Sequence, residues 1–455
     1  MRSCIHTHTT PLTVTMPFEY SPIAPARRIP HAPGRMPLVG HIPRLAAGAL
    51  PFLLSVTQLS DVVRLFLGRA PAYLITNPRL VHKLLVAESG SFVKGVHYEK
   101  LGNLLGDSLS TVSGEVHCER RRVIQPAFSR KYTDSQFDVI HQTVTSMIDA
   151  WRPGEIIAID DAMRQLSLEI IARVLCSTDV DADSLNTVQR DLPQVMRGVA
   201  WRVLFSSGLF DRLPLPMNRR FSAANNRLRM VAANLVQRDR TSSSGRRGLL
   251  SVLLTTRNPD TGLGLDDACM EDEFVNLLFA GAETTGNAMA WMWYALGGHP
   301  EIAERLHGEA ISGATDLARR VAQETLRLYP PPWLVSRKAV HDVDLDGFTI
   351  PQGSQVLFSP YAIHRDPRNY PDASSFIPDR WLPGNTSRHA RHAYLPFGAG
   401  PQNCVGQRLA LLEMTTVATV IATRYRLVPV STTKPRVSAT LVPSQLLMRV
   451  EPQAD

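Results

Sequence analysis

The stretch Phe397-Gly398-Ala399-Gly400-Pro401-Gln402-Asn403-Cys404-Val405-Gly406 decides how the rest of the chain is read. It sets one cysteine among three glycines, directly before a segment with helical periodicity. From Gln407 to Arg424, residues Leu409, Leu412, Val417, Val420 and Ile421 recur at roughly helical spacing. Cys404 is therefore expected at or just before a helix N-terminus, where unpaired N–H groups and the helix dipole favour an anion. Cysteine binds metal as a thiolate, and nearby positive potential favours that form. Gly398, Gly400 and Gly406 permit unusual backbone angles and close approach to a flat metal cofactor. Pro401 stiffens the turn, and Phe397 is placed to shield the sulfur and tune the metal's potential. A lone cysteine in a glycine-rich turn is more often buried and inert. The whole ten-residue pattern favours the ligand.

Composition narrows the remaining choices. The chain has 455 residues, 44% of them hydrophobic and 20% charged, as in an ordinary globular protein with a large core. Its five cysteines (Cys4, Cys118, Cys176, Cys269 and Cys404) are scattered and form no CxxC pair. This argues against a disulfide framework or a zinc site and for a reducing, cytoplasmic setting. The net charge of +8 is spread mostly as single arginines, with no long basic run to bind nucleic acid. No apolar stretch approaches the roughly 20 residues of a membrane helix, and no signal-peptide core appears. Residues 1–31 read as a poorly ordered extension, with Met16 a plausible start, and residues 32–455 as a single domain.

The pattern along that domain is mainly helical. Val62 to Leu67 and Tyr73 to Thr76 read as a hairpin. Asn77-Pro78 reads as a helix cap followed by proline at the first helical position. From about Gly114 to Glu324 nearly everything has helical periodicity. Residues 337–358 switch to strand chemistry, with Val343, Leu345, Phe348 and Ile350 flanking the turn Asp346-Gly347. An irregular stretch follows from Asp366 to Pro396, and the last forty residues mix short strands. The sheets are too small for a doubly wound fold. Thr241-Ser242-Ser243-Ser244-Gly245 reads as an interhelical loop.

Three further motifs carry chemistry. Phe279-Ala280-Gly281-Ala282-Glu283-Thr284-Thr285 lies inside a helix expected from about Asp267 to Leu296, which would span about 45 Å. Glycine and adjacent threonines are poor helix formers that can open the hydrogen-bond ladder to water. The alternative is a small-residue packing face. Glu324 and Arg327 share one helix face at i and i+3, and His117 and Arg121 share another at i and i+4.

Together these motifs resemble the cytochrome P-450 family along essentially the whole chain from about residue 32. The resemblance implies a mainly α fold, a large helical domain with small β-sheets, and haem b buried between a long central helix and the cysteine loop. It implies Cys404 as the axial iron ligand, in a loop that includes Phe397, Gly398 and Gly406. Glu283 and Thr284 would be the acid–alcohol pair that relays protons to bound dioxygen. Glu324, Arg327 and a later Arg380 would brace the ligand loop, with Asp379 where a Glu is more usual. His117, Arg121 and Arg337 would hold the haem propionates, since arginine matches carboxylate geometry. Gln402 departs from the usual Arg or His at its position, which implies weaker propionate neutralisation.

The implied activity is monooxygenation: hydroxylation of an apolar C–H bond in a hydrophobic small molecule, with a polycyclic terpenoid the chosen class. Steroids, fatty acids and polyketides stay open. Substrate contacts would come from Phe92 to Val112, Val195 to Pro216, Leu278 to Ala282, Pro332 to Val335, and Thr440 to Pro443. Lys94, Arg197 and Arg202 could reach inward. Only 51 residues follow Cys404, so an external ferredoxin and NAD(P)H-dependent ferredoxin reductase are implied. Arg120, Arg122 and the basic stretch Arg388 to His392 could steer the acidic ferredoxin. The expected protein is a monomer without membrane anchor. The rival readings are a peroxide-driven haem-thiolate enzyme or rearrangement catalyst, and a non-catalytic haem carrier or gas sensor.

Overall fold

The computed structural model describes residues 27–176, 181–204, 215–241, 248–385 and 392–453. The helices that build the site are, in chain order, α1 (Val96–Leu105), α2 (Gly114–Ile124), α3 (Ile159–Leu175), α4 (Pro216–Thr241), α5 (Asp267–Gly297), α6 (Pro300–Ile311), α7 (Asp316–Leu328) and α8 (Gln407–Arg424). The 31-residue α5 is the axis of the molecule. Its start is capped by Asp266, whose carboxylate accepts from the Cys269 N–H at 2.7 Å. From Phe274 to Leu296 its buried residues lie on every face, the pattern of a helix enclosed by others.

Two glycines set how closely α5 meets α3. A Cβ on Gly281 would lie 2.6 Å from Ile171 Cγ1, and one on Gly286 would lie 2.8 Å from the Arg164 Cα. The small residues thus serve a packing face, the alternative the sequence left open. The helix runs without a break through residues 280–285.

The strands gather distant parts of the chain. A five-stranded sheet has the order β1 (Val62–Leu67), β2 (Ala70–Ile75), Gln355–Phe358, Val335–Ala339, and Phe92–Lys94. The last of these in chain order are named β3 (Phe92–Lys94), β4 (Val335–Ala339) and β5 (Gln355–Phe358). β2 runs parallel to β5, so the N-terminal hairpin is joined to strands almost 300 residues later. The hairpin's second strand starts at Ala70, earlier than the sequence pattern suggests. Asn77 caps the following helix by accepting from the Arg79 N–H at 2.9 Å. Asp346 and Gly347 both have positive φ between paired strands, the geometry of a tight hairpin turn. Near the C-terminus, β6 (Pro435–Val437) and β7 (Leu441–Pro443) form a further hairpin.

Residues 27–31, assigned from sequence to an irregular extension, are paired: the Arg27 N–H donates to Gly347 and the Arg64 N–H to Pro30. Residues 1–26 lie outside the described residues, as do 242–247 of the expected interhelical loop.

Candidate active site

Cys404 sits two residues before Gly406, the residue that caps α8. Its N–H donates to the Phe397 carbonyl at 2.8 Å, which closes the loop on itself. Gly398 and Gly400 have φ of 69° and 70°, so both use the left-handed region. A Cβ on Gly400 would also lie 2.0 Å from the Leu85 carbonyl oxygen. Gly406 differs from the expectation: its φ is −85°, open to any residue. Its contribution is its N–H, which donates to the Cys404 sulfur. Burial raises the Cys404 pKa, opposed first by that N–H and then by the Arg121 charge. Cys404 nevertheless has substantial accessible surface.

A buried ionic knot fixes the loop's approach. Glu324 and Arg327 on α7 have no exposed surface and pair through two bonds of 2.9 and 2.8 Å. Arg327 also donates to the carbonyls of His364, Ala373 and Ser375. Glu324 accepts from the Ile377 N–H, the Trp381 indole and Arg380. Each buried charge therefore has several partners, as an ion pair out of water requires. Asp379 faces away and binds Arg305 and Arg320. His364, which the sequence reading passed over, carries the knot to the cysteine loop: its Nδ1 meets the Arg327 carbonyl and its Nε2 accepts from the Leu395 N–H, both at 2.9 Å.

Behind the loop, basic groups converge. Lys94 and Arg337 are directly opposed across β3 and β4, and His117 and Arg121 reach in from α2. Burial first, and then Arg337, brings Lys94 down to about 7. Burial, with Lys94, Arg121 and Arg337, brings His117 down to about 4, so it is neutral at pH 7. The sequence reading treated Lys94 only as an inward-reaching substrate cation. Arg121 is already engaged: its guanidinium donates to the Asn403 carbonyl and side-chain oxygen, both at 2.6 Å, and so ties α2 to the cysteine loop. The Gln402 Oε1 is buried without a partner. Opposed like charges weaken a strand pair, so this cluster is built for an anion. Two propionates of a haem suit the cationic groups, and they could accept from the Gln402 side-chain amide; the Gln402 Oε1, an acceptor, needs a donor that a carboxylate does not supply.

On α5, Glu283 is held by Asn287, which the sequence reading did not single out, and by Thr440, which it placed in an expected substrate segment. The Asn287 amide donates to its Oε1 at 3.0 Å and the Thr440 hydroxyl at 3.2 Å. The Thr284 hydroxyl donates back to the Ala280 carbonyl at 2.6 Å. On the other side, Ser167 of α3 bridges the Gly281 carbonyl at 3.2 Å and the Glu413 carboxyl at 2.6 Å. Glu413 is buried in α8, and burial pushes it up to about 8. A sequence signal for it exists: Leu409, Glu413, Val417 and Ile421 share one four-residue row, with a lone acid on an apolar stripe.

The family model for cytochrome P450 matches residues 30–453. The chain belongs to the cytochrome P450 family. It is a P450 monooxygenase with the P450 fold. It is 38% identical to cyclooctat-9-en-7-ol 5-monooxygenase of Streptomyces melanosporofaciens, over 88% of this chain and 89% of that one. It is 31% identical to the pentalenene oxygenase of Streptomyces avermitilis, over 92% and 96%. Among solved structures, the haem domain of cytochrome P450DA superposes with a TM-score of 0.83 at 24% identity, covering 95% of this chain and 99% of that one.

Other expected features of this P450 divide by place. Arg120 turns inward: it is buried, contacts the Cys269 sulfur at 3.0 Å and faces Glu273 at 3.6 Å, so it cannot steer a partner. Arg122 is exposed and pairs with Asp260 at 2.6 Å. Arg388 to Arg391 lie outside the described residues, as do 205–214 of the expected substrate region and the side chains of Arg197 and Arg202. Lys94 and Glu273 grip one peptide of the expected substrate loop. Lys94 donates to the Leu109 carbonyl, and Glu273 accepts the Leu109 N–H at 2.5 Å. Among the described residues, no helix is long and apolar enough to cross a membrane.

Proposed function

We propose that this P450 hydroxylates an unactivated C–H bond of a polycyclic terpenoid, with haem b held through Cys404 and electrons from a ferredoxin and its NAD(P)H-dependent reductase. Bound haem would supply dioxygen binding and O–O cleavage. The observation that carries the reading is the cysteine loop: an accessible thiol with the Gly406 N–H on its sulfur, beside a buried basic cluster. His117, Arg121, Arg337, Gln402 and Lys94 would hold the propionates, and Phe397 and Gly398 would line the ligand loop. The brace of Glu324, Arg327 and Arg380 keeps that loop in place. Glu283, oriented by Asn287 and Thr440, would exchange protons with solvent, and Thr284 would hold water for the relay.

The terpenoid class is supported by the names of the two Streptomyces relatives and by the apolar stretches Leu278 to Ala282 and Trp333 to Val335. The scattered cysteines favour the cytoplasm. The retained acid–alcohol pair favours monooxygenation over peroxide-driven chemistry or rearrangement. The test is a panel of cyclic terpene alcohols and hydrocarbons with dioxygen, NAD(P)H, ferredoxin and reductase. Hydroxylated product that requires all four supports the reading; turnover with peroxide alone overturns it. Cys404→Ser is expected to abolish the thiolate-type band of the reduced carbonyl complex. Thr284→Ala is expected to keep substrate binding and divert reducing equivalents to peroxide.

A further inference from the structure

Trp291, Tyr329 and Tyr294 line up between the acid–alcohol segment and the protein surface. Glu283, Asn287 and Trp291 follow one another at four-residue intervals, one row on α5. The turn Thr440-Leu441, at the start of β7, lies along that row. Thr440 bonds Glu283 and Asn287, and the Leu441 carbonyl accepts the Trp291 indole N–H at 3.0 Å. Trp291 has no exposed surface. Its indole lies flat on the Tyr329 ring, with centroids 4.3 Å apart and planes 1° apart. The Tyr294 ring meets Trp291 edge-on at 5.6 Å. Both tyrosines then line a surface cleft of about 530 Å³, together with His299, Phe376 and Thr432.

We propose that Trp291 and Tyr329 form an electron relay that discharges oxidising equivalents stranded in the active site when no substrate C–H bond is within reach. The proposal rests on the oxygen-activating haem reading. A one-electron oxidant generated at that site takes one electron from Trp291, and one electron from Tyr329 refills the indole. The indole N–H is bonded to a peptide carbonyl, which is too weak a base to remove the proton, so the hole moves on. Tyr329 releases its phenolic proton to water in the cleft as its electron leaves, which yields a neutral tyrosyl radical. The Arg365 guanidinium over this ring at 5.4 Å disfavours a retained positive charge there. A small reductant such as ascorbate or a thiol returns one electron and one proton at the cleft. A structural stack accounts for the indole N–H, which anchors Leu441, but has no use for the phenol, because a phenylalanine ring would fill the same space as Tyr329.

The experiment mixes substrate-free holoprotein with a peracid, freezes the mixture within milliseconds for electron paramagnetic resonance, and maps a spin-trap adduct by peptide mass. The wild type is expected to give a tyrosyl radical with the adduct on Tyr329. Trp291→Phe and Tyr329→Phe are each expected to lower the radical yield at least fivefold and to bleach faster under repeated peracid. Tyr329→Phe keeps the stacked ring, so the test survives if Trp291→Phe fails to fold. A wild-type adduct absent from Tyr329, or an unchanged yield in Tyr329→Phe, overturns the relay. The reduced carbonyl spectrum separates the two levels. A normal thiolate-type band without the radical overturns the relay alone, and a missing band overturns the haem reading and the relay with it.

Discussion

Lys94 and Arg337 stand directly opposite each other on antiparallel strands, and both side chains are buried. The Leu109 carbonyl and the nearby Glu273 offset part of the cost of opposing two cations, and a haem propionate beside them would offset the rest. Lys94→Met removes the like charge but also leaves the buried Leu109 carbonyl without its donor, so the stability of the haem-free chain is expected to change by less than about 1 kcal/mol. The same change is expected to speed haem loss about tenfold or more, the equivalent of a lost hydrogen bond to a charged group of ~1.5–3 kcal/mol. Denaturant unfolding of the apoprotein and transfer of haem to a scavenging apoprotein measure the two halves. Equal destabilisation of both forms would remove Lys94 from the haem site.

Glu413 predicts an alkaline effect. Its carboxyl titrates at about 8 in the fold, against 4.5 for the unfolded group. Between these values the unfolded chain gives up a proton that the folded chain keeps, so stability falls as pH rises through this window. Glu413→Gln is expected to remove that part of the slope while keeping a hydrogen bond to Ser167. Paired denaturation curves from pH 5 to 8 check it; parallel curves for the two proteins would refute the buried neutral acid.

His364 predicts the opposite sign. Burial, with the Arg327 charge, holds its folded pKa at about 3, against 6.5 unfolded. Its stabilising effect is complete above 6.5 and is lost as pH falls from there toward 3, because the unfolded imidazole takes up a proton that the folded one refuses. His364→Gln is expected to flatten that slope and to cost ~1–3 kcal/mol at neutral pH, since the Leu395 N–H and Arg327 carbonyl lose well-placed partners. The thiolate-type carbonyl band should also convert more readily to the inactive form in the variant. A variant as stable as wild type at pH 7 would count against the link.

Gly286→Ala tests the α3–α5 contact. The added Cβ would meet the Arg164 backbone at 2.8 Å, which cannot rotate away as a side-chain tip could. Overpacking of this kind costs ~1–3 kcal/mol. Thermal unfolding of the holoprotein measures it, and an unchanged midpoint would mean that the helices separate freely.

Much of the site was legible because its signals are local. The Glu324–Arg327 spacing, the cap at Asn77 and the turn at Asp346-Gly347 each depend on a few neighbouring residues, and each is found in the structure. The alternation of helix and strand patterns likewise announced a helical domain with small sheets. Partners far apart in the chain left no such trace. Asn403 as the seat of Arg121, Thr440 as a partner of Glu283, and Ser167 between Gly281 and Glu413 are long-range choices.

By itself, the sequence carried the family resemblance in its motifs, and it determined the glycine-rich loop around Cys404 and the long helix that carries Glu283 and Thr284, because backbone propensity and residue spacing act over one or two turns. The tertiary structure alone decided which charges are buried together and which glycines serve packing. Lys94 reads in the sequence as one more cation, and becomes part of a basic pocket only when β3 pairs with β4. Arg120 reads as a surface charge until packing turns it toward Glu273. The physical reason is that desolvation and charge coupling depend on what surrounds a group in space, and periodicity along the chain does not record that.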